Sequence, residues 1–225
     1  MKTLNNKTLG IFHAALISTK GVQPFIEEII PEVSVAHHVD DTIQNSNFAC
    51  VPGTIPKENY FKFASYAYYF EKAGVDLILL ACSTFNRAVE LAQPMINIPI
   101  LKIDRPMMDL AIMDGKKIGL LATVPTTVPS SERLLKLAAY EARKNIEITT
   151  ILCSRAFEEI KKGNVNNHNE LLLSEIEKLS RSVDAIVMAQ VSMSALEPML
   201  KNTRVPVYNS GRTGFNKVRE ILESM

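Results

Sequence analysis

The sequence repeats itself, and this internal duplication constrains the fold more than any other feature. Residues 7–14 resemble residues 116–123, since each segment places a glycine inside a short apolar run that follows a lysine. Further along, residues 75–82 align without a gap to residues 183–190. Each copy then continues through small hydroxyl residues to an Ile/Val-Pro-Ile/Val unit. Matched positions lie about 108 residues apart throughout, so we interpret the chain as a duplicated unit.

Within each half, short apolar runs alternate with amphipathic stretches. The runs are continuous, which is typical of strands buried on both faces of a parallel sheet. Predicted strands are residues 8–13, 33–38, 76–81 and 98–103 in the first half, and 117–122, 146–152, 184–189 and 205–208 in the second. Predicted helices include residues 58–73, 131–144, 167–181 and 213–224, with Ser130 or Ser131 capping the second of these. The alternation predicts an α/β fold with two pseudo-twofold-related lobes, each a doubly wound parallel sheet.

The duplication also predicts the domain organisation. Residues 1–104 form the first lobe and residues 105–207 form the second. The C-terminal segment, residues 208–225, is expected to pack back on the first lobe. Ligands of open parallel sheets bind at the carboxyl ends of the strands. We therefore expect an active-site cleft between the two lobes.

Composition and charge narrow the class of protein. The 225 residues carry 25 Lys and Arg against 24 Asp and Glu, a formal net charge of +1 that argues against nucleic-acid or membrane partners. The N-terminus does not resemble a signal peptide, and no apolar run is long enough to span a bilayer. The three cysteines are widely spaced without a CxxC pair, so neither disulfides nor a structural zinc site is expected. Free thiols suit a reducing compartment, and we therefore expect a cytoplasmic location.

Cys82 is the leading candidate for a reactive group. We expect it at the last position of a buried strand, directly before a helix that Ser83 or Thr84 caps. Backbone N–H groups at such a helix start attract anions and lower the pKa of a thiol. Cys50 and Cys153 lack this strand-to-helix context as clearly, and we interpret them as structural.

A second group of candidates follows the other predicted strand ends. The duplication places Gln190 opposite Cys82. The segment 122–128 is rich in hydroxyl groups, which suits it to binding a carboxylate or a phosphate. Residues 13–19, at the end of the first strand, are expected at the same cleft, where His13 either lines the cleft or is structural. His37 and His38 lie near two aspartates, but neighbouring strand residues point to opposite faces, so no metal site is expected.

These residues resemble the aspartate/glutamate racemase superfamily, which includes hydantoin racemases, arylmalonate decarboxylases and maleate isomerases. The resemblance covers essentially the whole chain. It rests on the duplicated lobes and on three segments, Ala81–Asn86, Gly119–Thr127 and Ala189–Ser192. It implies a cofactor-independent enzyme that acts beside the carboxylate of a small acid.

In that superfamily's racemases, two cysteines face opposite sides of the substrate α-carbon and act as base and acid. The first cysteine matches Cys82, whereas Gln190 stands at the position of the second. A primary amide donates and accepts hydrogen bonds but is not a general base at neutral pH. The resemblance further implies that strand-end groups bind the carboxylate of the substrate. These groups are His13, Ser83, Thr84, Asn86, Thr123, Thr126, Thr127, Gln190, Val191 and Ser192.

Three functions remain open from the sequence. The leading hypothesis is a racemase- or isomerase-type enzyme that uses Cys82 as an acid, a base or a nucleophile. The alternatives are a single-cysteine decarboxylase or lyase of the same superfamily, and a non-catalytic module that binds small carboxylates. No GxGxxG or P-loop pattern indicates a nucleotide cofactor. The aromatic run from Tyr60 to Phe70 fits a buried helix face better than a homo-oligomer interface, and the oligomeric state stays open.

Overall fold

The computed structural model describes residues 4–225 and contains two four-stranded parallel sheets. The first sheet has the strand order β2-β1-β3-β4 and the second has the order β6-β5-β7-β8. The strands are β1 (Thr8–His13), β2 (Ser34–Val39), β3 (Leu77–Leu80), β4 (Ile100–Lys102), β5 (Lys117–Ala122), β6 (Glu147–Leu152), β7 (Ala185–Met188) and β8 (Val207–Asn209). The same order in both halves confirms the predicted α/β fold with two related parallel sheets.

Helices cover both faces of each sheet. The α-helices are α1 (Ile17–Ile29), α2 (Asp41–Phe48), α3 (Lys57–Lys72), α4 (Arg87–Ala92), α5 (Arg105–Asp114), α6 (Thr127–Glu141), α7 (Ser154–Lys161), α8 (Val165–Leu179) and α9 (Ser210–Ser224). Short 3₁₀ helices cover Ser83–Phe85, Gln93–Met95 and Val191–Met199. Two buried apolar clusters pack around each sheet, which accounts for the continuous apolar runs of the strands.

The start of α6 differs from its prediction. The helix begins at Thr127, so Ser130 and Ser131 lie inside it and do not cap it. Pro129 falls in the first helical turn, where a proline is tolerated because its missing N–H would have no helical acceptor. The early start places Thr127 at the beginning of the helix, beside the carboxyl end of β5.

The duplication extends to the packing of the helices. A Cβ added at Gly10 of β1 would lie 2.8 Å from the Phe70 ring of α3. A Cβ added at Gly119 of β5 would lie 2.6 Å from the Leu179 side chain of α8. Glycine at these two matched positions therefore lets a helix side chain approach the central strand closely.

Helix α9 returns to the first sheet from the end of the chain. Its Phe215, Val218 and Leu222 are buried in one cluster with residues of β1, α1 and β3. The Phe215 ring stacks on Phe25 of α1 with centroids 6.1 Å apart. Arg212 of α9 forms an ion pair with Glu28 of α1, at 2.6 Å between Nη1 and Oε1.

The aromatic run in α3 divides between two faces of the helix. Phe63 is fully buried and Phe70 is nearly so, and both pack in the cluster beneath the first sheet. Phe61 and Tyr69 point outward and are 74% and 67% exposed. Within residues 4–225, none of the helices combines the length and apolar content needed to cross a bilayer.

Replacing Phe215 with alanine tests how far α9 stabilises the first sheet. We expect F215A to lower the free energy of unfolding by about 3–5 kcal/mol, because it leaves a cavity in a buried cluster. The matched control is F61A, which removes an exposed ring from α3 and should change this free energy by at most about 0.5 kcal/mol. Urea denaturation measures both variants, and equal effects would contradict the burial of α9.

Candidate active site

A cleft opens at the carboxyl ends of the strands, and both halves of the chain line it. Its volume is about 170 Å³, which is smaller than the usual drug-sized pocket and suits a small acid. The lining residues are Ala15, Ile17, Ser18, Gln44, Phe48, Ala81, Cys82, Ser83, Thr84, Ile103, Val124, Thr127, Phe157, Gln190, Val191 and Ser192. None of these residues, all in the described part of the chain, carries a formal charge. A bound carboxylate would therefore meet hydroxyl, amide and thiol groups.

Cys82 lies in this cleft, but not at the end of a strand. Strand β3 ends at Leu80, and Cys82 takes the N-cap position of the 3₁₀ turn Ser83–Phe85. Ser83 and Thr84 are thus inside the turn, and the prediction that one of them caps a helix is wrong. The turn aims the backbone N–H groups of Thr84 and Phe85 at the Cys82 sulfur.

The expected lowering of the Cys82 pKa does not occur in the unliganded structure. Burial raises the pKa of the thiol to about 12, since the thiolate would lose its hydration. Hydrogen bonds from the N–H groups of Thr84 and Phe85 oppose this rise, and the nearby Asp104 carboxyl adds to it. Cys82 therefore rests as a protonated thiol, with two donors in place for a thiolate.

Asp104 is a buried carboxyl beneath the cleft that the sequence analysis missed. It follows β4, is fully buried, and accepts a hydrogen bond from Asn86 Nδ2 at 3.2 Å. Burial raises the pKa of Asp104 to about 6, and the side chains of Ser83, Asn86 and Ser210 limit the rise. Its position two residues after a short apolar strand is the signal that would have identified it.

Gln190 occupies the matching position in the second half and is held by Thr123. The backbone N–H of Thr123 donates to Gln190 Oε1 at 2.9 Å, and Gln190 Nε2 donates to Thr123 Oγ1 at 3.0 Å. These two bonds orient the amide so that Nε2 keeps one further N–H for a ligand. Thr123 itself does not line the cleft, because its polar atoms serve Gln190.

Two threonines connect the halves of the chain at the cleft wall. The hydroxyls of Thr84 and Thr127 lie 3.1 Å apart and share one hydrogen bond. Since only one of their two protons is used in this bond, the other is available to a ligand. Val191 and Ser192 complete the wall on the Gln190 side, whereas Thr126 lies outside the cleft in a neighbouring surface pocket.

Two further predicted residues lie below the cleft surface. His13 is completely buried, and its ring nitrogens lie 2.7 Å from Ser18 Oγ and 2.9 Å from His37 Nδ1. Burial, with a smaller contribution from His37, lowers the pKa of His13 to about 4. Asn86 is also completely buried and donates to the Ser83 carbonyl oxygen at 3.0 Å. Neither residue lines the cleft, because both point into the protein beneath the lining residues.

The structure also adds residues to the cleft that no sequence motif indicated. Gln44 of α2 lines the wall near Ser18 of α1, and of these two only Ser18 falls in the expected segment 13–19. Phe48 of α2 and Phe157 of α7 meet edge to face with ring centroids 6.4 Å apart. Phe48 is the last residue of α2 and Phe157 is the fourth of α7, so the repeat does not match these two positions and no sequence signal paired them.

The histidines of β2 point to opposite faces of the first sheet. His37 contacts His13, whereas His38 packs over Tyr66 with ring centroids 4.0 Å apart. Across residues 4–225, no three His, Cys, Asp or Glu side chains converge as metal ligands.

Comparison with known proteins identifies the family. The model of the family described as Asp/Glu/Hydantoin racemase matches residues 18–218. A glutamate racemase from Trichodesmium erythraeum is 23% identical over 202 residues, which is 87% of this chain and 71% of that protein.

Solved structures share the fold. A glutamate racemase from Francisella tularensis in complex with D-glutamate superposes with a TM-score of 0.71 at 19% identity, covering 98% of this chain and 82% of that one. An aspartate racemase homologue from Pyrococcus horikoshii gives a TM-score of 0.73 at 20% identity, with 96% and 99% coverage. At these identities the likeness establishes the fold alone.

The raised pKa of Cys82 predicts slow alkylation of the unliganded protein. At pH 7.5, iodoacetamide should modify Cys82 more slowly than Cys50 or Cys153, with mass spectrometry of peptides as the readout. Because the thiolate is the nucleophile, the Cys82 rate should climb about tenfold per pH unit up to at least about pH 9. Faster modification of Cys82 than of Cys50 near neutral pH would show that the Thr84 and Phe85 donors outweigh burial.

Proposed function

This chain belongs to the Asp/Glu/hydantoin racemase family, and we propose from that premise that it is a cofactor-independent isomerase acting beside the carboxylate of a small acid. Family membership supports a racemase-type function. The observation that carries the finer proposal is the pairing of Cys82 with an oriented Gln190 in one small, uncharged cleft. Cys82 is the single thiol of that cleft and is its acid–base group.

The uncharged lining suits a substrate that brings its own negative charge. The hydroxyl proton that the Thr84–Thr127 pair leaves free and the free N–H of Gln190 are donors for carboxylate oxygens. When the α-proton leaves, charge moves onto that carboxylate and forms an enediolate. Donors held in place by the fold stabilise this charge without reorganising, which is usually a large part of catalysis.

The protonation state of Cys82 sets the order of its roles. Removal of the α-proton needs the thiolate, so the resting thiol first gives its proton to water. The thiolate, which accepts from the N–H groups of Thr84 and Phe85, then takes the α-proton, and the thiol that results returns a proton to the same face of the carbanion. Gln190 on the second wall binds and orients the substrate, because an amide does not remove a proton at neutral pH.

A single-cysteine decarboxylase is the second candidate, and the thiol form of Cys82 favours it. When a malonic acid loses CO₂, the C–C bonding electrons remain as an enediolate on the other carboxylate. One proton delivered to the α-carbon completes the reaction, and Cys82 is placed to donate it. Water must then return a proton to the thiolate.

Proton NMR in D₂O with a panel of small amino, hydroxy and malonic acids tests the proposal. Wild type should replace an α-proton with deuterium, or form an isomerised or decarboxylated product. C82S should be at least about a hundredfold slower, since it removes the acid–base group. C50S is the matched control and should retain the wild-type rate.

Three results separate the alternatives. Wild-type activity in C82S would overturn the role of Cys82. Loss of an α-proton indicates the isomerase, whereas formation of CO₂ indicates the decarboxylase. If an acid of the panel raises the melting temperature of the protein but is not turned over, the protein is a carboxylate-binding module and not an enzyme.

Gln190→Cys tests whether the two walls are equivalent. Wild type should exchange the α-proton of an accepted acid while its configuration is retained. With a thiol on each side of the substrate α-carbon, Q190C should form the opposite enantiomer. Its rate should be well below the rate at which the same variant exchanges the α-proton on one face. Chiral chromatography measures the product and Q190S is the control. Equal racemisation by Q190C and Q190S would contradict the opposed arrangement.

A further inference from the structure

Three hydrogen-bonded side chains connect the cleft to the protein surface through the first sheet. Ser18 lines the cleft, and its Oγ lies 2.7 Å from Nδ1 of the buried His13. On the other side of that ring, His13 Nε2 lies 2.9 Å from His37 Nδ1. His37 is on β2 and is exposed, so the series runs from solvent to the cleft with two short steps.

The hydrogen bonds define where the protons rest. Ser18 Oγ donates its proton to the Ala15 carbonyl oxygen at 2.8 Å, so it accepts from His13 Nδ1–H. A neutral His13 protonated at Nδ1 has a lone pair at Nε2. That lone pair accepts from His37 Nδ1–H, which leaves His37 Nε2 as an acceptor toward solvent. Each of the three donors, Ser18 Oγ–H, His13 Nδ1–H and His37 Nδ1–H, therefore has one acceptor.

Both rings rest in the neutral state. The rings stack with centroids 5.2 Å apart, and a charge on one disfavours a charge on the other. Burial lowers the pKa of both histidines, more strongly for His13. A ring held permanently as a cation beside a carboxylate would block the passage of a proton. A neutral ring has one N–H and one lone pair, so it takes a proton at one nitrogen as it gives one up at the other.

We propose that His37, His13 and Ser18 form a proton relay that exchanges protons between solvent and the cleft while substrate fills it. The relay rests on the proposed function, since it serves proton chemistry beside Cys82. His13 and His37 are positioning and transfer groups inside the protein, and Ser18 is the member that faces the ligand.

Each transfer balances. Water gives a proton to His37 Nε2, and His37 passes its Nδ1 proton to His13 Nε2. His13 passes its Nδ1 proton to Ser18 Oγ, and the hydroxyl releases its own proton from the Ala15 carbonyl into the cleft. One proton has moved inward, and both rings are now neutral and protonated at Nε2. The reverse sequence moves one proton outward and restores the first state.

This alternation fits an isomerase better than a decarboxylase. A reaction that removes one proton from carbon and returns one uses the relay once in each direction, so the rings reset within a single turnover. A decarboxylation consumes a proton at every turnover. After each inward transfer both rings would have to return, by exchange with solvent, from the form protonated at Nε2 to the form protonated at Nδ1 before the next transfer.

The relay is tested first without any substrate, by NMR of the ¹⁵N-labelled full chain. The exchange rate of the His13 Nδ1 proton with water is measured in wild type, H37Q and H38Q. Removing a proton-transfer group should slow this exchange by at least about a hundredfold in H37Q. H38Q changes the neighbouring histidine, which faces the other side of the sheet, and should exchange like wild type. Equal exchange in all three proteins would overturn the relay.

The second measurement uses an acid that wild type deuterates in D₂O. S18A removes the cleft end of the relay, so it should lower kcat for α-deuteration about tenfold or more while KM changes little. It should also slow exchange of the His13 Nδ1 proton, because that proton leaves the ring through Ser18 Oγ. Unchanged kcat in S18A would overturn the role of Ser18. Failure of wild type on every acid would count against the proposed function, while the substrate-free exchange still decides whether the relay exists.

Discussion

Burial of both faces of each parallel sheet is the constraint on which the rest of the structure depends. Helices cover the central strands so completely that every residue of β3 and β7 is buried. Polar chemistry is therefore confined to the strand ends, where the chain turns into its next helix. Because the two sheets present their carboxyl ends to one cleft, residues far apart in sequence, such as Cys82 and Gln190, share a single small volume.

The two halves keep their packing in common and differ in their chemistry. Gly10 and Gly119 admit helix side chains at equivalent places, and both sheets have the same strand order. The polar groups at the strand ends have diverged. One half holds the Cys82 thiol, with a histidine pair beneath the cleft, and the other holds the Gln190 amide, which is hydrogen-bonded to Thr123. An asymmetric site on a symmetric scaffold suits a reaction in which the two faces of a substrate have different roles.

The state of Cys82 is decided by two opposing effects. Backbone N–H groups lower the pKa of a thiol, and the sequence context of Cys82 made this the expected outcome. Desolvation acts in the opposite direction and is the larger effect in the uncharged cleft. The same donors then matter after proton transfer, when they stabilise the thiolate at the moment it forms.

The sequence by itself determined the architecture, because the apolar runs, the glycine positions and the repeat are local patterns that a parallel α/β fold requires. It also placed Cys82 and Gln190 at corresponding positions of the two halves, each of which precedes a 3₁₀ helix. Only the tertiary structure decided which polar side chains face the cleft and which lie behind it. We expected His13 and Asn86 at the cleft, yet both turn inward, and no sequence pattern marked the buried Asp104. The orientation of a side chain at a strand end, and the solvation that sets its pKa, depend on contacts with helices distant in sequence, which no local pattern records.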